Sequence, residues 1–214
     1  MRKQFIYMMS ALAVAGFSGC QQASIDSDIE SGNTVMATIS AQAILATENT
    51  KAETSELVYY LEAYCDGEFY GDFGSNTDGN FSADLIPGLD YTFVAWADYN
   101  KGYYDAAGTL GEANLTAVNI ITEAYVINSE YRDAFAGAYV VENFDGKPIS
   151  FTLSRPLARI NVATTDNLNG IADYLPTGVK LSYTTDVYTS YNVLTGEVNA
   201  DSQLLETASI AALV

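Results

Sequence analysis

Residues 149–166 read Ile-Ser-Phe-Thr-Leu-Ser-Arg-Pro-Leu-Ala-Arg-Ile-Asn-Val-Ala-Thr-Thr-Asp, the longest stretch of the chain with a clear strand pattern. Phe151 and Leu153 share one face at period two, and after Arg155-Pro156 the series resumes at Leu157, Ile160, Val162 and Thr164. The parity changes beside a proline, which has no N–H to give to a ladder. The strand therefore either carries a β-bulge there or breaks as the chain leaves one sheet for another. One β domain is expected before this point and a second after it.

Composition supports an all-β chain and removes many chemistries. Sixteen tyrosines and nine phenylalanines, with abundant Thr and Val, favour strands over helices. Acids outnumber bases 27 to 9, for a net charge of −18, which argues against nucleic acid or an anionic lipid surface as a partner. Histidine is absent, which removes the commonest general base, the usual zinc ligand and any Ser-His or Cys-His pair. No phosphate loop, nucleophile elbow, metal cluster or dinucleotide fingerprint is present. With so many acids, carboxylate pairs are unavoidable and their spacing uninformative. The expectation is a non-enzymatic protein with no metal or cofactor.

Working back from residue 149, strands are expected at Thr34–Ala41, Leu57–Tyr64, Asn80–Leu85, Tyr91–Ala97 and Tyr139–Glu142, with a weaker one ending at Val118, Ile120 and Ile121. Ala41–Ala63 has a helix-like content of Ala, Leu and Glu, but the β-branched and aromatic run from Leu57 favours a loop followed by a strand. Asp66-Gly67 and Asp78-Gly79 are hairpin signals, and Pro87-Gly88 is a turn. Asn128–Ala136 starts with a cap-like Asn-Ser-Glu and is expected to form a turn or two of helix, with Arg132 and Asp133 fixing it between sheets. Cys65 reads as a small buried hydrophobe, since acidic Asp66 and Glu68 follow it. These elements make an antiparallel sandwich over residues 34–142.

Two ligand readings attach to residues 96–105. Trp96, Tyr99, Tyr103 and Tyr104 can form an aromatic platform for a sugar ring. Asp98, Asn100 and Asp105 can offer oxygens to calcium, but the EF-hand pattern fails, with no glycine at the sixth position and Thr109 where the bidentate acid belongs. Core packing with a tyrosine-rich loop is the simpler account of both sets.

Residues 146–214 offer Val179–Thr185, Tyr188–Leu194, a turn at Thr195-Gly196 and then Glu197–Val214, which is three or four strands. A complete sandwich needs about seven strands and on the order of 100 residues. The second sandwich is therefore expected to be incomplete. Either the chain is shortened, or a strand from another subunit finishes the domain. Shortening is the simpler expectation, because nothing in the tail signals a donor strand or an acceptor groove.

At the other end, Arg2 and Lys3 precede an apolar run, Phe5–Phe17, closed by Ser18-Gly19-Cys20. This reads as a lipoprotein signal over residues 1–19, with lipid attached at Cys20. The run falls short of the roughly 20 residues a membrane span needs. Its removal takes the net charge from −18 to −20, and leaves Cys65 with no partner for an intrachain disulfide. Residues 20–33 read as a flexible acidic tether carrying Asp26, Asp28 and Glu30.

Three motifs in order, YTFVAWADYNKGYYD (91–105), INSEYRDAFAG (127–137) and LSRPLARINVATTD (153–166), resemble the fimbrillin-like lipoproteins of Bacteroidales. The resemblance runs from about Thr34 to Val198 and makes Arg132, Asp133, Arg155, Pro156 and Arg159 the structural motif residues. It implies two transthyretin-like, Ig-like sandwiches on a cell-surface lipoprotein, and relatives include subunits and anchors of fimbriae assembled by strand exchange. Acids soon after the lipidated cysteine resemble a signal for the outer leaflet, so an outer-membrane, surface-facing position is expected. The implied function is a fimbrial anchor, accessory subunit or adhesion component that holds the membrane through lipid on Cys20 and meets fimbrial subunits or other surface proteins through strand edges. The alternative is a glycan-binding lipoprotein of a polysaccharide uptake system.

Overall fold

The computed structural model describes residues 34–44, 56–107, 114–121, 129–158, 178–180, 187–202 and 209–211. Among these the chain is all-β, with one 3-10 turn at Glu130–Arg132 where a turn or two of helix was expected. The strands are β1 Val35–Ala43, β2 Val58–Cys65, β3 Glu68–Asn76, β4 Asn80–Leu85, β5 Tyr91–Asp98, β6 Tyr104–Asp105, β7 Val118–Ile120, β8 Ala134–Val141, β9 Ile149–Leu153, β10 Gly178–Lys180, β11 Ser190–Asn192, β12 Glu197–Val198 and β13 Ser209–Ala211. No helix among the described residues is long and apolar enough to cross a membrane.

The first sheet has the order β4-β1-β9 and the second β3-β2-β5-β8. Strands of the first sheet alternate, as a sheet with one wet face should. Ala37, Ile39 and Ala41 of β1, Phe81, Ala83 and Leu85 of β4, and Ile149, Phe151 and Leu153 of β9 point inward, while Met36 is 74% exposed. They meet Leu61, Ala63, Phe93, Ala95 and Phe135 of the second sheet in one apolar core. Each fully buried aliphatic or phenyl group there contributes about 1.5–3 kcal/mol relative to exposure.

The second sheet is covered on its other face as well. Tyr60, Tyr64, Val94 and Trp96 pack with Leu115, Val118 and Val193 in a separate core. Much of that cover comes from a third sheet, β12-β11-β7-β6. Double coverage explains why β2 and β5 read as continuous apolar runs instead of alternating, since neither face meets water. β10 and β13 form a two-stranded sheet.

Turn chemistry matches the turns. Asp66 and Gly67 have φ of 51° and 83°, the paired left-handed geometry of a two-residue hairpin joining β2 to β3. The turn at Asp78-Gly79 carries the chain from the second sheet to the first. A Cβ on Gly79 would sit 2.2 Å from the Ala41 carbonyl oxygen, so glycine alone fits.

The organising stretch resolves as a break. β9 ends at Leu153, Ser154 forms an isolated bridge with Ala136, and Pro156-Leu157 lie in a bend. β9 pairs with β1 in parallel, whereas the other described pairings are antiparallel. Strand pairing thus crosses the boundary expected near residue 146, since Ile149 sits beside Ile39 and Tyr191 beside Val118. The continuation through Ile160, Val162 and Thr164, the signal, Cys20 and the tether lie outside the described residues.

Candidate functional site

The four-ring platform does not form. Trp96 stands on β5, the strand with layers on both sides, and is 1% exposed. Its indole N–H donates to Asp98 Oδ2 at 2.6 Å, and its ring meets that of Tyr104 edge-on at 5.2 Å. The Tyr104 hydroxyl donates to the Arg132 carbonyl at 2.5 Å. Tyr99 packs edge-on against Tyr131, while Tyr103 lies under the Arg132 guanidinium and donates to Ser129 Oγ at 3.1 Å. The rings therefore bind the 99–104 segment to the 3-10 turn instead of facing water together.

Asp98 is likewise not a free oxygen donor for an ion. It is buried, and besides the indole it accepts the Asn100 N–H at 2.5 Å. Burial raises its pKa, against the lowering effect of those two donors. No group of three or more potential metal-ligating acids or cysteines occurs among the described residues.

Sequence reading missed the second buried acid, Glu62, in the middle of β2. Its Oε1 accepts the Leu115 N–H and its Oε2 the Tyr64 hydroxyl, each at 2.9 Å. Burial is the largest influence and raises its pKa, while both donors oppose it. Glu62 thereby ties the loop before β7 to the second sheet. A lone acid inside Val-Tyr-Tyr-Leu-Glu-Ala-Tyr-Cys was the available signal, because a buried carboxylate requires donors.

Of the motif residues, Arg155 and Asp133 come together. Arg155 Nε and Nη2 donate to the two oxygens of Asp133 at 2.6 and 2.5 Å, and the guanidinium lies over the Phe135 ring at 5.2 Å. Arg132 takes no part in that fork. Pro156 follows in the bend, Arg159 lies outside the described residues, and Cys65 is buried as expected.

Two features face outward. One is the outer edge of β8. Ala136 exchanges both backbone hydrogen bonds with Ser154, which orients its N–H and carbonyl away from β5. By alternation the same groups of Ala138 and Val140 also point outward, where β9 has already diverged into the first sheet. Val140 is 59% and Tyr139 43% exposed. The other feature is a cleft of about 230 Å³ with Trp96, Tyr104, Leu157, Tyr188, Tyr191 and Val198 in its lining.

A family model, that of a family of unknown function (DUF6562), matches residues 22–211. No curated protein matches. Among solved structures, the chain is similar to a proposed polysaccharide-binding protein (DUF1812) from Bacteroides thetaiotaomicron, at 17% identity and a TM-score of 0.39. That match takes in 56% of this chain and 46% of the other, so this chain spans less than half the length of that neighbour.

Proposed function

The chain belongs to this family of unknown function, and from that footing we propose that it acts as a lipid-anchored surface protein of the fimbrillin-like type, joining partners non-covalently through a sheet edge. Lipid on Cys20 holds it at the outer membrane, facing the surface, and no bond of a partner is broken or made. The observation that supports this reading is the outer edge of β8, where Ala138 and Val140 offer two N–H and carbonyl rungs with no pairing among the described residues, beside exposed Tyr139 and Val140. An extended segment of a fimbrial subunit or other surface protein can add to such an edge through main-chain hydrogen bonds.

The test uses an internally tagged full chain in its own cells, cross-linked mildly and recovered from the outer-membrane fraction. Val140→Pro removes one outward N–H, a change that edge strands tolerate. Co-purifying fimbrial or surface proteins that are lost with Val140→Pro, at unchanged fractionation of the variant, support the edge. Equal recovery with both chains refutes it.

Glycan capture is the second reading. It no longer has a Trp96 platform, and what favours it is the uncharged aromatic cleft in a chain of net charge −18.

A further inference from the structure

The cleft beside Trp96 has a chemistry of its own. None of its lining residues carries a charge, although the chain as a whole is strongly acidic. An ion has no counter-charge there, so a neutral ligand fits best. The walls are apolar and aromatic, and Thr189 and Ser190 lie among them. The Ser190 hydroxyl is engaged, accepting from the Asn199 amide at 2.8 Å.

Tyr191 differs. Its hydroxyl makes no hydrogen bond among the described residues, yet it is not sealed in, because no buried side-chain polar atom lacks a partner. Burial of the ring raises its pKa, while the hydroxyl itself is open to solvent and so to a ligand that displaces water. The neighbouring wall is Gly196, where even a Cβ would come within 3.8 Å of that hydroxyl.

We infer that this cleft binds one neutral pyranose ring, with its C–H face on apolar or aromatic lining residues and a ring hydroxyl bonded to Tyr191 Oη. A volume of about 230 Å³ suits one ring and excludes a longer chain from lying fully inside. Aliphatic ligands would leave the phenol unpaired, whereas a sugar satisfies it and still presents an apolar face. The inference deepens the glycan-capture reading and is independent of the β8 edge.

Trp96 is the chain's one tryptophan and lines the cleft, so its emission reports occupancy directly. The full chain is titrated with methyl glycosides of glucose, galactose, mannose and N-acetylglucosamine, and separately with cyclohexanol. A saturable emission change is expected with at least one glycoside, with a dissociation constant on the order of 1 mM for a ligand of this size. Tyr191→Phe, which removes only the free hydroxyl, should weaken binding about five- to tenfold. No change with any glycoside overturns the inference. A response to cyclohexanol alone also overturns it and identifies a pocket for an apolar side chain. Glycoside binding that Tyr191→Phe leaves undiminished preserves glycan capture but removes this cleft as its place.

Discussion

Replacing Glu62 separates the geometry of a buried carboxylate from its charge. In Glu62→Ala the Leu115 N–H loses its acceptor at a residue of 0% exposure, which costs about 1–3 kcal/mol. The vacated side-chain volume adds about 1 kcal/mol, while relief from burying a charge offsets part of the loss. A net destabilisation of about 2–3 kcal/mol is expected near neutral pH. Glu62→Gln keeps an acceptor for Leu115 and lets the amide donate to the Tyr64 oxygen, so it should stay within about 1 kcal/mol of the parent.

The pH dependence gives the sharper readout. The folded-state pKa of Glu62 is raised above its ordinary value of 4.5, chiefly by burial. Its stabilising contribution is then complete below the unfolded value and is lost as pH rises through the folded one. Asp98 shifts in the same direction for the same first cause. Thermal unfolding followed by circular dichroism from pH 4 to 8 should show the parent losing stability relative to Glu62→Gln as pH rises. A difference between the two that stays constant with pH refutes the argument, as does Glu62→Gln unfolding as easily as Glu62→Ala.

Two further substitutions test the frame. Gly79→Ala, at φ +68° and facing the Ala41 carbonyl, should cost at least about 1–3 kcal/mol in chemical denaturation, and a neutral result would remove the sheet-to-sheet corner as a steric constraint. Arg155→Lys should lose nearly as much as Arg155→Ala, because an ammonium cannot reproduce the two-pronged contact with Asp133. With both side chains partly exposed, the loss is about 1 kcal/mol or less, and full rescue by lysine in the same denaturation assay would contradict the fork.

What the sequence made legible follows from how much water each strand meets. Val35–Ala43 and Asn80–Leu85 alternate because one face is solvated, and their inward residues could be named in advance. Val58–Cys65 and Tyr91–Asp98 were recognisable as strands, but an apolar run does not tell which layers cover its two faces. Core packing is the simpler reading of Trp96 from its run, but that run could not exclude an exposed platform or name the third sheet that covers the ring. The parallel pairing of Ile39 with Ile149 was hidden for a different reason, since it joins segments about a hundred residues apart and neither records its partner. The cleft is hidden in the same way. Its walls come from five separate stretches between Trp96 and Val198, so no local pattern announces it.

The position of β1 also has a mechanical meaning. An outermost strand can be stripped from its neighbour one rung at a time, each hydrogen bond failing under the full load alone. β1 lies between β4 and β9 and has no outermost side, so tension along its axis is shared among the rungs of two ladders at once. A pull transmitted through the residues before Val35 thus reaches the part of the first sheet best placed to resist it. The body yields there only when both ladders slip together, or after β4 or β9 has first been torn away.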